Sequence, residues 1–280
     1  MGAAGWPEKR LAHSFFEMIY LSKITTRAMA CGAYPLNRPV LLGLELQLDR
    51  PVTLLAGENG SGKSTLMEAL ACKMNLPTVG SSDVSRDEGL KKLEPLQAIL
   101  RLNFKKPTHR GFFLRAEDFF GFVHRIEAQR AEMKAELARV EREYAGHSRF
   151  TQDQARMAYQ SALGDIEGRY GEDMDAASHG ESFLGLFRSR MNGPGIFLLD
   201  EPETPLSILS QLALISMIRE READSQFIIA THSPVLLAYP GAAIYSLDGA
   251  RIQRTSYDEL ESVGLMRDFL KAPERYLKHL

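Results

Sequence analysis

The sequence predicts an α/β fold: a mixed β-sheet core flanked by helices, with an antiparallel β edge and an inserted helical lobe. Three observations carry this. Pro51-Val52-Thr53-Leu54-Leu55-Ala56 is a short apolar run suited to a strand covered on both faces, and a glycine-rich turn joins it to the helical pattern Leu66-Met67-Glu68-Ala69-Leu70-Ala71. Two further apolar runs, Ile196–Asp200 and Gln226–Ala230, have a helical segment between them, the alternation expected of strands wrapped by helices. Between the first strand and these two, Phe122, Ile126, Met133, Leu137, Val140 and Tyr144 recur at helical steps among Arg and Glu.

Taken in order, residues 1–18 read as a leader ahead of the packed chain. The apolar run His13–Leu21, which begins in it, is interrupted by Glu17 and lacks the basic start and small-residue cleavage site of a signal peptide. Leu42, Leu44, Leu46 and Leu48 alternate with Gly43, Glu45, Gln47 and Asp49, the period of a strand with one buried face, expected as an antiparallel edge to the main sheet. Gly80 to Glu94, rich in Gly, Ser, Asp and Lys, reads as a surface excursion. Phe112 to Arg115 is a further strand leading to Ala116-Glu117.

The lobe spans 118–177. Its first helix carries the pairs Glu127/Arg130, Glu136/Arg139 and Arg139/Glu143, each worth a few tenths of a kcal/mol, so the apolar stripe must pack on something to hold it. Gly146-His147-Ser148 ends that helix, and Thr151 to Leu163 offers a second, weaker one that folds back. Leu206 to Glu222 is a helix with Leu209, Leu212, Ala213 and Ile215 available to cover the sheet. Ile244 to Ile252 is a hairpin with an Asp248-Gly249 turn, and helices over Tyr257–Val263 and Pro273–His279 close the chain. The whole, 1–280, reads as a single domain: an N-terminal part at 19–117, the lobe, and a C-terminal part at 178–280.

A chain of 280 residues can bury one large α/β core. Its net charge of −2 provides no global attraction to nucleic acid or an acidic membrane, so such a partner needs a local patch. Lys105-Lys106-Pro107-Thr108-His109-Arg110 is the densest basic cluster and reads as a solvated loop. Cys31 and Cys72 are far apart without zinc spacing, and a reducing cytoplasm is the natural compartment. No apolar stretch reaches the length of a membrane span.

The chemistry is concentrated in four short segments. Gly57-Glu58-Asn59-Gly60-Ser61-Gly62-Lys63-Ser64-Thr65 is a complete phosphate-binding loop between strand and helix. Its glycines let backbone N–H groups turn toward phosphates, and the helix N-terminus adds partial positive charge. Lys63 is placed to reach the β- and γ-phosphates and the Ser64 hydroxyl to ligate Mg²⁺, so a nucleoside triphosphate with Mg²⁺ is the expected ligand. At the end of Ile196–Asp200, Asp200 is the expected Mg²⁺ holder through water and Glu201 the expected general base. Ala177-Ser178-His179-Gly180-Glu181-Ser182 precedes that strand, and Thr231-His232-Ser233 follows the next.

With these in the order phosphate loop, signature, acidic strand and histidine, the chain resembles the ABC-type ATPases of the P-loop NTPase superfamily. It is most similar to their soluble, stand-alone, AAA/ABC-like members, through GENGSGKST, SHGES, LLDEPE and ATHSP, from about Tyr20 to the C-terminus. The resemblance implies an ATP hydrolase that dimerises around two ATP molecules. It places Ser178, His179, Gly180 and Glu181 at the signature, which contacts ATP bound to the other subunit, and His232 as the switch that senses the γ-phosphate. His179 and Glu181 depart from the usual LSGGQ, which argues mildly against a transport subunit. Ser207 stands where the family usually has an aspartate. No glutamine follows the Phe112–Arg115 strand; Glu117 either contacts the metal in its place or caps the next helix. Tyr34, upstream of the phosphate loop where transport-type relatives place an aromatic ring against the adenine, reads instead as a loop residue packing against the sheet edge. DNA-repair relatives carry long coiled coils where this stripe lasts about three heptads. Other readings remain open: a transporter's ATP-binding subunit, a DNA-repair or phage-defence ATPase of the RecF or SMC kind, or a nucleotide-gated binding module with negligible turnover. An effector protein or nucleic acid is the remaining expected partner.

Overall fold

The computed structural model describes residues 19–29, 32–78, 92–170, 179–191 and 193–278. The expected leader, residues 80–91 of the expected excursion, Cys31, Ala177 and Ser178 lie outside them. In chain order the strands are β1 (Leu21–Thr26), β2 (Glu45–Gln47), β3 (Val52–Ala56), β4 (Leu100–Phe104), β5 (Gly111–Arg115), β6 (Ile196–Asp200), β7 (Gln226–Ala230), β8 (Ala243–Ser246) and β9 (Gln253–Thr255). The helices are α1 (Lys63–Met74), α2 (Glu94–Ile99), α3 (Ala116–Glu143), α4 (Arg149–Tyr170), α5 (His179–Arg190), α6 (Ile208–Arg221), α7 (Pro234–Leu237), α8 (Glu261–Lys271) and α9 (Glu274–Leu277).

Among the described residues, the larger sheet has the order β5-β6-β7-β3-β8-β9. Neighbours from β5 to β8 are parallel and β9 pairs antiparallel, which makes the sheet mixed with an antiparallel edge. Every residue of β3, β6 and β7 is buried, which is why their sequences show no alternation. The pleat still divides them. Leu54, Leu199 and Ile229 face a core shared with α3, α5 and α6, while Leu55, Leu198 and Ile228 face α1 and a smaller sheet. Each such side chain contributes about 1.5–3 kcal/mol through burial.

Leu44, Leu46 and Leu48 are buried as their alternation requires, but the strand they flank is not an edge of the larger sheet. It belongs to a separate antiparallel sheet of order β2-β1-β4. A two-residue period shows that one face is covered and leaves open what covers it. Gln226, fully buried in β7, joins the two sheets: its Oε1 accepts from the Tyr20 and Leu21 amides at 3.1 and 2.9 Å, and its Nε2 donates to the Leu21 carbonyl at 2.8 Å.

In the lobe, α3 and α4 form an antiparallel hairpin. Phe122, Ile126 and Val140 of the expected stripe are buried, and Phe119, Phe122, Val123 and Ile126 enter the same core as Phe183 and Phe187 of α5. Arg139 pairs with Glu136 at 2.8 Å and Glu143 at 3.7 Å, and Arg156 of α4 reaches Glu141 at 3.6 Å. Helix α6 differs from expectation: Leu209 is 78% exposed and Leu212 51%, while Gln211, Leu214, Met217 and Ile218 face inward. Apolar residues occur all round this helix, so spacing alone could not select its inner face. The C-terminal hairpin forms, with residues 247–252 as its connection. Tyr257–Glu259 is a short 3₁₀ turn and the helix proper is α8. No helix among the described residues is long and apolar enough to cross a membrane.

Candidate functional site

The parallel strands end level with one another. Arg115 lies beside Asp200 and Asp200 beside Ala230, so the loops after β5, β6, β7 and β3 open on one edge, where ligands of such sheets bind. After β3, Gly57 takes φ +152°, and a Cβ there would lie 2.8 Å from Ser61 Oγ and 3.0 Å from Asp248 Oδ1. Gly62 is left-handed at φ +105° and caps α1, so Lys63 is the first helical residue. Lys63 is buried, and its Nζ donates to the carbonyls of Gly57 at 2.6 Å and Glu58 at 3.0 Å. Asp248 fixes the loop from outside: its Oδ1 accepts from the Glu58 amide at 2.6 Å and its Oδ2 from Ser246 Oγ at 3.2 Å. In the sequence Asp248 is visible only as a turn residue, because 190 positions separate it from Glu58.

A cavity of about 710 Å³ opens over this loop, a size suited to a small-molecule ligand. Gly57 to Ser61 line it, with His232, Leu247 to Ala250, Arg38 and Val40 around them and Glu261 and Leu265 of α8 at the wall. Tyr34 is 48% exposed and is not among the lining residues.

On the acidic side, Asp200 is buried and hydrogen-bonds to Ser64 at the start of α1. Its Oδ1 is enclosed and has no hydrogen-bond partner. Its carboxyl is pushed up to about 7, first by burial and then by Glu201 and Glu68, against the Ser64 hydrogen bond and Lys63. Glu201 has φ +50°, an uncommon conformation for a side chain of this size, and its amide donates to the Ala230 carbonyl at 2.8 Å. His232 turns its Nδ1 toward Glu203 Oε1 at 3.4 Å and Glu201 Oε1 at 3.9 Å.

Glu117, the other expected metal contact, is 73% exposed and ion-paired to Arg115 at 3.4 Å. Arg115 also binds Glu68 of α1 at 3.1 Å and Asp118 at 2.8 Å. Burial works against its charge, and Asp118, Glu68 and Glu117 outweigh that and raise its pKa. At the expected signature, His179 begins α5, and Glu181 is exposed in its first turn. Gly180 lets α5 approach α6, since a Cβ there would come within 2.7 Å of Ser210 Oγ. Ser207 caps α6, its hydroxyl accepting from the Ser210 amide at 3.2 Å.

The donor set fits Mg²⁺ in the manner of phosphate sites, where one carboxylate, a hydroxyl and the ligand's own oxygens suffice. The Asp200–Ser64 pair and the enclosed Asp200 Oδ1 supply the protein's share. Among the described residues no cluster of three His, Cys, Asp or Glu could hold a metal alone.

Asp200 carries a testable stability effect. The folded chain keeps this proton up to about pH 7, whereas an unfolded aspartate loses it near pH 3.9. The folded state therefore binds more protons between those values, and nucleotide-free stability falls as pH rises through that window. Asp200→Asn is expected to flatten this slope and raise the nucleotide-free melting temperature at pH 8 by at least about 2 °C, while weakening Mg²⁺-dependent ATP binding. Differential scanning fluorimetry across pH 5 to 8 checks it, and an unchanged slope contradicts it.

Comparison with known proteins agrees with the geometry. An "AAA domain" family model matches residues 38–144, and a second AAA-domain model, whose description also names the AbiEii toxin of type IV toxin–antitoxin systems, matches 182–238. The macrolide export ATP-binding/permease protein MacB of Hahella chejuensis is 32% identical over 197 residues, 70% of this chain. The chain spans only 28% of that relative's length. The hemin import ATP-binding protein HmuV of Streptomyces coelicolor is 27% identical over 248 residues, 87% of this chain and 82% of its own. Among solved structures, a nucleotide-free ATP-binding cassette from an ABC transporter superposes with a TM-score of 0.46 at 18% identity, covering 91% of this chain and 98% of that one, a value that by itself decides nothing.

Proposed function

We propose that this chain is a P-loop ATPase of the ABC type, and that it binds ATP with Mg²⁺ and hydrolyses it to ADP and phosphate in a dimer closed on two ATP molecules. The observation that carries the reading is the convergence of the loop 57–65, the Asp200–Ser64 pair, Glu201 and His232 at one sheet edge. The N–H groups of Gly57 to Thr65 and the start of α1 hold the β- and γ-phosphates. Lys63 exchanges two loop carbonyls for charged phosphate oxygens, which are stronger acceptors. Ser64 and Asp200 would hold Mg²⁺, which when bound neutralises phosphate charge. Glu117 would contact that ion only after leaving Arg115. Glu201 orients the attacking water and takes its proton as the bond from the γ-phosphorus to the β–γ bridging oxygen breaks. His232, which lines the cavity, would sense the γ-phosphate.

The second chain enters through the signature at 178–181. No described residue of α5 lines the cavity over the phosphate loop, and its N-terminus packs on α6 instead. Beside it Ile208, Leu209 and Leu212 leave an apolar face that a partner would cover. In the Glu201→Gln protein, ATP with Mg²⁺ is expected to convert monomer to dimer in light scattering, and Ser178→Arg to block this. Ser178 is preferred to Gly180 because a side chain at Gly180 collides with Ser210 of its own chain. Mixing Ser178→Arg with Lys63→Ala is expected to restore up to one working site per heterodimer. A Glu201→Gln protein that stays monomeric at saturating ATP removes the shared site.

The likeness to HmuV over most of both chains favours, as a second reading of what the cycle drives, coupling to a membrane transport partner. Co-purification with membranes tests it; recovery only in the soluble fraction counts against it.

A further inference from the structure

We infer that Glu203 is the residue that positions His232, and not a second base. Glu203 is 6% exposed, and a carboxylate enclosed to that degree needs donors. Its Oε1 has three, from consecutive residues: Thr231 Oγ1 at 2.6 Å, the His232 amide at 2.9 Å and the Ser233 amide at 3.2 Å. The imidazole Nδ1 lies 3.4 Å from the same oxygen. One carboxylate oxygen thus holds the backbone of His232 and faces its half-exposed ring. Gln211 grips the other side of the loop, its Oε1 accepting from Ser233 Oγ at 2.6 Å and its Nε2 donating to the Leu206 carbonyl at 3.2 Å.

The consequence is an imidazole anchored through its own backbone. With its Nδ1 edge toward Glu203 and Glu201, the ring is expected to carry its proton on Nδ1 and to leave Nε2 for a ligand in the cavity that His232 lines. Glu203 cannot serve as the base in this arrangement: Oε1 is committed to the loop and Oε2 is enclosed. The kinetic consequence rests on the ATPase reading above; the ring's tautomer does not.

The test has two arms. In steady-state turnover, Glu203→Ala is expected to lower kcat to the level of His232→Ala, with KM for ATP within about 3-fold of the parent, and the double variant to fall no further. Glu203→Gln, which keeps an acceptor oxygen in place, is expected to stay within about 10-fold of the parent. Losses that multiply in the double variant, or a Gln variant as impaired as the Ala variant, overturn the assignment. The second arm uses nucleotide-free protein: nitrogen-15 NMR of the His232 ring is expected to show the Nδ1–H tautomer in the parent and a solution-like mixture in Glu203→Ala. An unchanged ring in that variant overturns the assignment whatever the turnover. If Glu203→Ala does not fold, Glu203→Asp, with its carboxylate withdrawn by one methylene, is expected to show the same tautomer change. A parent without turnover counts against the ATPase reading alone, and the NMR arm still decides the role of Glu203.

Discussion

Replacing Lys63 with alanine is expected to weaken ATP binding by about 10²- to 10⁴-fold, the loss of two charge-assisted hydrogen bonds at roughly 1.5–3 kcal/mol each. The buried ammonium already sits under the loop, held by Gly57 and Glu58 carbonyls that a phosphate would replace. Those carbonyls border the open cavity, where water can satisfy them once the lysine is gone. The melting temperature should therefore change by less than about 4 °C. Isothermal calorimetry with ATP and Mg²⁺ measures the effect. Affinity equal to the parent's would place the nucleotide somewhere other than this loop.

Glu201→Gln keeps the shape of the side chain and removes the proposed base, so turnover is expected to fall by about 10²- to 10⁴-fold while ATP affinity stays similar or rises. The substituted glutamine inherits the left-handed backbone, so this comparison isolates the charge. Glu201→Gly separates the two effects: relief of the φ +50° backbone should leave the fold as stable or more so, with turnover still lost. Phosphate release under saturating ATP is the measurement. Turnover unchanged in Glu201→Gln would move the base to another carboxylate, with Glu117 the next to examine because Glu203 is committed to the histidine loop.

The parts of this chain that can be read without its fold are local. The loop 57–65, the acidic end of β6 and the histidine after β7 are short contiguous phrases whose residue types and spacing name their chemistry. The strands were legible because β3, β6 and β7 are buried on both faces and so are apolar without interruption. The α3 stripe was legible because three to four residues per turn leave a periodic trace. Which surfaces meet was settled only by folding. It put the strand flanked by Leu44 and Leu48 in a second sheet, turned Leu209 and Leu212 of α6 outward, and set Asp248 on the phosphate loop. It also enlisted Gln226 to join the sheets, and Glu203 with Gln211 to hold His232. The reason is physical. Each of these polar side chains answers to donors or acceptors far away in sequence, or across a packed layer, and no local pattern records a partner that only the folded chain brings near.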